Sequence, residues 1–332
     1  MRAGVTPLVE VEDLHVHFGA ARAVDGASVH VLPGEVLALV GESGSGKTTL
    51  IRAIQGLQKP TSGTIRVDGA GGSSPGKVQT IFNPSVQMVF QDPTGALNPR
   101  QTIYEIVAEG LRIKGEAGGE AEQVSAALSR AGLRPPERFF PMYPHEVSGG
   151  QRQRVVIAGA MVMEPRLLLA DEPVASLDAS IRGEILALMR RLVDETGLAI
   201  LVVTHDLGLA WNIADRVAVM YLGRIVETGP TEQILEDPRH PYTRALLSVV
   251  PETREMEQQI LTGEIPDPAR IPPGCRFHPR CPLLQSGILP ETISSRCPTD
   301  DPGPTPLEAV SAAACWAVTS GAGPSALWAS PG

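Results

Sequence analysis

The chain has 332 residues, of which 42% are hydrophobic, and a formal charge of −9. That length accommodates two domains or one large domain with an extension, and the acidic balance argues against a broad nucleic-acid surface, which needs a basic stripe. Met1–Pro7 lacks the apolar centre of a secretory signal and no stretch approaches the roughly 20 apolar residues of a membrane span, so the chain reads as soluble and cytoplasmic, meeting a membrane only through a partner.

In chain order, Leu8–Phe18 alternates as an edge strand does, and a Pro33-Gly34 turn leads into the apolar run Val36–Val40, which reads as a buried strand. Gly41-Glu-Ser-Gly-Ser-Gly-Lys-Thr48 follows it and fits G-x-x-x-x-G-K-[ST], and Thr49–Ile54 reads as the next helix. Glycines at 41, 44 and 46 let successive N–H groups and the positive end of that helix converge on one anion. In such a cradle Ser43, Ser45 and Thr49 border the phosphates, Lys47 reaches the β- and γ-phosphates, and the Thr48 hydroxyl completes the coordination of Mg²⁺. A tight turn is the bland alternative, and the strand before and Lys-Thr after weigh against it.

Turn signals at Pro60–Gly63 and Asp68-Gly69 bracket a short strand, Thr64–Val67, and the Gly/Ser-rich stretch Ala70–Lys77 reads as a surface loop. From about Asp92 to Pro165 the pattern is helical, which suggests an inserted helical subdomain. Within it Val147-Ser148-Gly149-Gly150-Gln151 opens an apolar helical stretch, with Ser148 as N-cap and glycines that leave N–H groups open to an anion. Arg166–Ala170 and Ala199–Val203 then resume the strand–helix alternation of a parallel sheet. The first of these runs into Asp171-Glu172. A buried strand ending in Asp can hold Mg²⁺ and the next carboxylate can polarise an attacking water, giving Asp171 the metal role and Glu172 that of general base. Beyond Pro238 the chain turns Pro-rich and polar, as an appended small domain with a loose tail.

A phosphate loop, then Ser-Gly-Gly-Gln, then Asp-Glu-Pro, in that order, resembles the nucleotide-binding subunit of an ABC transporter. The resemblance implies an α/β fold, with a P-loop NTPase (RecA-like) core, an ABC β-subdomain and an inserted α-helical subdomain at about 92–165, together spanning 1–237. It implies that Gln91 is the glutamine that senses Mg²⁺ and water, so that Thr48, Gln91 and Asp171 attend the metal. Asp178 in Ser176-Leu-Asp178 falls at the D-loop, where Ser176 departs from the family's more frequent Ala-Leu-Asp. His205 is the switch histidine at the γ-phosphate, Phe18 stacks on adenine, and Ser148, Gly149, Gly150 and Gln151 close over ATP held by a facing protomer. Taken alone, Gln91 also reads as a surface amide, His205 as a capped loop histidine and Phe18 as a core residue.

Gln91–Pro99, Tyr143–Gly150, Met220–Pro230 and His240–Leu247 are similar to the di- and oligopeptide importer branch, and the likeness covers nearly residues 8 to 316. It implies ATP-driven solute import with two transmembrane permease subunits, a second ATPase subunit that is a sister or a second copy, an extracytoplasmic solute-binding protein acting indirectly, and a place on the inner face of the membrane, with no nucleic-acid partner. The other classes weighed are a soluble ABC ATPase of an enzyme complex, such as phosphonate-cleaving machinery, and a DNA-repair or translation factor, which normally has a long coiled coil or two fused ATPase units.

All four cysteines fall late, at 275, 281, 297 and 315, in the extension 238–332. Gly274-Cys-Arg-Phe-His-Pro-Arg-Cys281-Pro resembles the opening of the branch's cysteine cluster, which implies four thiolates on a [4Fe–4S] cluster. Zn²⁺ on four Cys, or free structural cysteines, remain the alternatives, disulfides being disfavoured in a reducing cytoplasm.

Overall fold

The computed structural model describes residues 6–68, 84–115, 118–250, 258–259, 261–308 and 311–319. The strands in chain order are β1 (Val9–Phe18), β2 (Ala21–Val31), β3 (Val36–Val40), β4 (Ser62–Val67), β5 (Val86–Val89), β6 (Leu167–Asp171), β7 (Ala199–Thr204), β8 (Arg216–Tyr221), β9 (Arg224–Pro230), β10 (Thr305–Glu308) and β11 (Ser311–Ala313). The helices are α1 (Lys47–Ile54), α2 (Pro93–Ala96), α3 (Ile103–Lys114), α4 (Glu120–Arg130), α5 (Gly149–Met161), α6 (Ala179–Thr196), α7 (Leu207–Ile213), α8 (Thr231–Glu236), α9 (Pro241–Leu247), α10 (Pro282–Gln285), α11 (Glu291–Ser294) and α12 (Trp316–Thr319). The stretch Ala70–Lys77, expected as a surface loop, lies outside the described residues.

These elements pack as two compact units, one gathering Met1–His30, Leu37–Gln79 and Thr204–Gly332, the other Val31–Val36 and Thr80–Val203. In the first unit, β1 corrects its expectation: it is the central strand of a three-stranded sheet ordered β2-β1-β4, with Val11 opposite Ile65 in the antiparallel pairing with β4. Alternation reports which face of a strand is buried and is silent about its lateral neighbours. The same unit holds a second run of strands ordered β10-β11-β9-β8-β3. There β3 pairs parallel with β8, Leu37 opposite Arg216, and all five of its residues are buried, as the unbroken apolar run requires of a strand covered on both faces. Leu222 and Gly223, at φ 44° and 82°, turn β8 back into β9.

The second unit has β5, β6 and β7 in parallel, Val86 opposite Leu167 and Leu167 opposite Ala199. Its helices α2 to α5 fall between residues 93 and 161, in the stretch read as helical. Helix α3 begins with a capping box: Glu105 N–H donates to Thr102 Oγ1 at 3.3 Å, and Thr102 N–H donates to Glu105 Oε2 at 2.8 Å. It buries Ile103, Val107, Ala108 and Leu111, the i, i+4 stripe that packs on α5.

The extension is better ordered than its thin apolar content suggests. Tyr242, Leu247, Phe277, Leu283 and Ile293 are buried together with three of the four cysteines. Short helical turns with proline at their first or second position build it: the turn at His278–Arg280, and helices α9 and α10. The tail beyond residue 319 lies outside the described residues.

Candidate nucleotide site

The loop between β3 and α1 is built around two close backbone approaches. A Cβ on Gly41 would stand 2.2 Å from the Met220 carbonyl oxygen, and one on Gly46 would stand 2.2 Å from that of Ala23, where φ is also +106°. No side chain larger than hydrogen fits either place. Ser45 is buried, and its carbonyl accepts from Gly223 N–H at 2.8 Å, which ties the loop to the β8–β9 turn. Helix α1 starts at Gly46 with no side-chain cap, so its first turn keeps the donor end that suits an anion. Lys47, 5% exposed, donates to the carbonyls of Gly41 at 2.7 Å and Glu42 at 2.9 Å and to Ser45 Oγ at 3.4 Å. The ammonium is therefore held in the loop by three oxygens. Ser43 and Gly44 are exposed on it, and Thr48 and Thr49 are half-buried.

Phe18, at the end of β1, is 52% exposed, which removes its reading as a core residue and leaves an open aromatic face. His205 is likewise exposed, directly after β7.

The second unit carries the acids. Asp171 ends β6 and is buried. Glu172 sits at φ +46°, a left-handed conformation that costs a non-glycine residue free energy and that clusters at functional positions. Its N–H donates to Val203 O at 3.0 Å and its Oε2 accepts from Gln91 Nε2 at 3.1 Å, so two residues far apart in sequence meet. Asp178 caps α6, with Oδ1 accepting from Ile181 N–H at 3.1 Å and Ser180 Oγ at 2.8 Å, and these bonds lower its pKa. Ser148 caps α5 in a box with Gln151: the Gln151 N–H donates to Ser148 Oγ at 3.3 Å and the Ser148 N–H to Gln151 Oε1 at 2.9 Å. A Cβ on Gly150 would meet Ile181 Cγ2 at 2.7 Å, so the glycine lets α5 and α6 approach.

The extension contributes residues whose motifs gave no hint of their role. Arg280 donates through Nη1 and Nη2 to the two carboxylate oxygens of Glu42, at 2.8 and 3.1 Å. Tyr242 Oη accepts from Glu42 N–H at 2.8 Å. Arg276 donates to Leu222 O and pairs with Asp25 on β2. Burial works to raise the Asp25 carboxyl, but Arg276, with help from His15, outweighs it and holds the pKa at about 2.

The four thiols are free. Cys281, Cys297 and Cys315 are buried, and burial pushes Cys275 and Cys281 up to about 12 and Cys315 to about 11, so none is a thiolate on its own account. Cys275 lies near Cys315 and Cys297, Cys281 near Cys315 and Cys275, and Cys275 N–H donates to Cys297 O at 2.8 Å, so the four gather in one region. Among the described residues, however, the set of three metal-binding side chains with ligand atoms within 4.8 Å of one another is His15, His17 and Asp25, not the cysteines. A zinc at about 2.3 Å from each sulfur would draw them to roughly 3.8 Å apart. The His15–His17–Asp25 set is an ion-pair hub: Asp25 is taken up by Arg276, and His15 bridges Asp25 and Asp13 at 3.0 and 3.2 Å.

Comparison with known proteins matches residues 24–175 to the ABC transporter family and 226–287 to the oligopeptide/dipeptide transporter C-terminal region. The chain is 42% identical over 299 residues to the oligopeptide transport ATP-binding protein OppF of Escherichia coli strain K12, spanning 83% of this chain and 89% of that protein. It is 44% identical over 276 residues to the oligopeptide transport ATP-binding protein AppF of Bacillus subtilis strain 168, spanning 80% and 83%. Among solved structures, cbiO1 from Clostridium perfringens, part of the ABC transporter complex cbiONQ, is similar with a TM-score of 0.63 and 31% identity over 69% of this chain and 91% of its own. The ATP-binding cassette MJ0796, in a dimeric post-hydrolysis state with ADP and Pi, has a TM-score of 0.58 and 29% identity, over 67% and 98%. No described helix is long and apolar enough to cross a membrane.

Proposed function

The chain belongs to the ABC transporter ATP-binding proteins, in their oligopeptide-transport branch, and on that premise we propose how its residues divide the work. It is an ATPase, the subunit whose ATP hydrolysis powers uptake of di- and oligopeptides through an ABC importer with membrane permease partners and a dimeric ATPase. The soluble enzyme-complex alternative gains nothing from relatives whose names are transport and import proteins.

Residues 1–237 form the nucleotide-binding domain, with its helical part at about 92–165, and 238–332 the extension. Gly41 to Thr49 wraps the triphosphate, Lys47 leaves its carbonyl partners for the β- and γ-phosphates, and Phe18 stacks on adenine. Glu172 takes the proton of the attacking water, held in aim by Gln91, and His205 steadies the γ-phosphate. Mg²⁺, when bound, neutralises phosphate charge, and Thr48, Gln91 and the buried Asp171 are the oxygens that would hold it. Ser148 to Gln151 caps nucleotide held by the facing protomer, beside Asp178. Closure on ATP favours one arrangement of the pair over the other and so does work on the permeases. A solute-binding protein delivers the cargo, and the subunit sits on the inner face of the membrane.

The observation that carries the reading is the Gln91–Glu172 hydrogen bond at a strained backbone position. Reconstitution with permease subunits in vesicles tests the cargo: peptides presented with their binding protein should stimulate ATP turnover, and stimulation by a sugar or a nickel chelate but not by peptides overturns peptide import.

We also propose that Cys275, Cys281, Cys297 and Cys315 hold a [4Fe–4S] cluster. What supports this is that all four cysteines fall in the extension and gather there, Cys275 N–H donating to Cys297 O at 2.8 Å, with Zn²⁺ on the same four thiols as the alternative. A bound cluster would act as a cross-link in the extension. Brown protein with broad visible absorption after anaerobic purification supports this, and a colourless, zinc-loaded preparation refutes it.

A further inference from the structure

Three of the contacts described above meet on one residue, Glu42, the second of the phosphate loop. Its N–H is bound by Tyr242, its carbonyl receives Lys47, and both oxygens of its side chain are forked by Arg280. Only the Lys47 contact belongs to the loop. The other two come from residues 200 and 238 positions further along, in the extension.

Arg280 is itself fixed. It is 5% exposed, its guanidinium stands 6.0 Å from the centre of the Tyr221 ring, and the carboxylate of Glu42 raises its pKa further. Tyr221, Tyr242 and Phe277 pack with ring centres 4.7 to 5.4 Å apart, and all three are almost wholly buried. A charge pair with one buried partner and paired, parallel bonds keeps direction as well as energy. The Glu42 carbonyl to which Lys47 is bound is therefore held from outside the loop, on a support that cannot easily turn.

We propose that Arg280 is a positioning residue for ATP binding: through Glu42 it fixes the backbone of the loop that wraps the triphosphate, so that the extension is part of the nucleotide site rather than an appendage to it. This deepens the ATPase reading and rests on it. Arg280 touches no reacting atom. Its removal lets Glu42 and the backbone of the loop relax, which weakens ATP binding while the catalytic carboxylate, just after β6, keeps its place.

The test is equilibrium binding of ATP, with KM and kcat measured separately, for the full-length wild type, Arg280→Met, Arg280→Lys, Glu42→Gln and the Arg280→Met/Glu42→Gln double variant. Losing a charge-assisted fork is expected to raise Kd and KM for ATP about tenfold in either single variant, with kcat changed less than about threefold, and the double variant no weaker than the singles. Arg280→Lys, which keeps charge and loses the fork, falls in between. Wild-type affinity in Arg280→Met, or losses that add in the double variant, would overturn the proposal. If Arg280→Met does not fold, Glu42→Gln and Arg280→Lys still decide it, since both keep the buried stem of Arg280. A wild-type chain that binds no ATP would overturn the ATPase reading itself, whereas wild-type binding with an unchanged Glu42→Gln overturns this inference alone.

Discussion

Gly46 shows how narrow the tolerance is at a single residue. The motif marks it as glycine for flexibility, yet the structure makes it glycine twice over, by φ +106° and by the Ala23 carbonyl 2.2 Å from where a Cβ would be. Gly46→Ala should cost about 1–3 kcal/mol in strain and collision, lowering Tm by several degrees and abolishing measurable ATP binding. Thermal melts with and without ATP check both, and an unchanged melt with normal binding would contradict the geometry. At this scale part was legible in the sequence: Ser148 caps its helix as its residue type and place led one to expect, and the loop glycines stand where the backbone turns tightly. What could not be read was the far partner of each. Nothing local to Glu42 announces Arg280, and no pattern around residue 23 announces that its carbonyl presses on residue 46, because both contacts are made by folding alone.

At the scale of elements, the unbroken apolar runs of β3, β6 and β7 were readable because strands covered on both faces need nothing else. The neighbours of β1, and the β8–β9 hairpin, were not. Their pairing is set by sheet assembly, and alternation is the same for a central strand as for an edge. Helix α9 carries a consequence for pH. His240 precedes it, and its Nδ1 accepts from Tyr242 N–H at 3.0 Å. Burial disfavours its charged form and pushes the pKa down to about 3 from an ordinary 6.5. The folded chain thus binds fewer protons here than the unfolded one between those values, so His240 contributes fully above pH 6.5 and that contribution fades as pH falls. Between pH 7 and pH 5 the wild type should lose about 2 kcal/mol from this residue, and His240→Gln should lose markedly less. Denaturant midpoints at the two pH values measure the difference, and equal losses would show that His240 does not govern it.

For the molecule as a whole, one ATPase subunit is expected to act with a facing protomer. Ser148 is expected to serve the nucleotide of that protomer, not its own. Ser148→Arg should leave ATP affinity of the isolated chain unchanged while the assembled importer loses turnover at least tenfold, since a long cation at the start of α5 replaces the cap that faces the triphosphate. A parallel loss of affinity in the isolated chain would mean that the serine acts within its own chain.

That this chain hydrolyses ATP with Glu172 as base is decided by ATP turnover of the assembled importer carrying Glu172→Gln, measured alongside ATP binding. Nucleotide should stay bound while turnover falls at least about a hundredfold, the weight of a lost general base. Turnover equal to that of the wild type, with ATP bound as before, would contradict it.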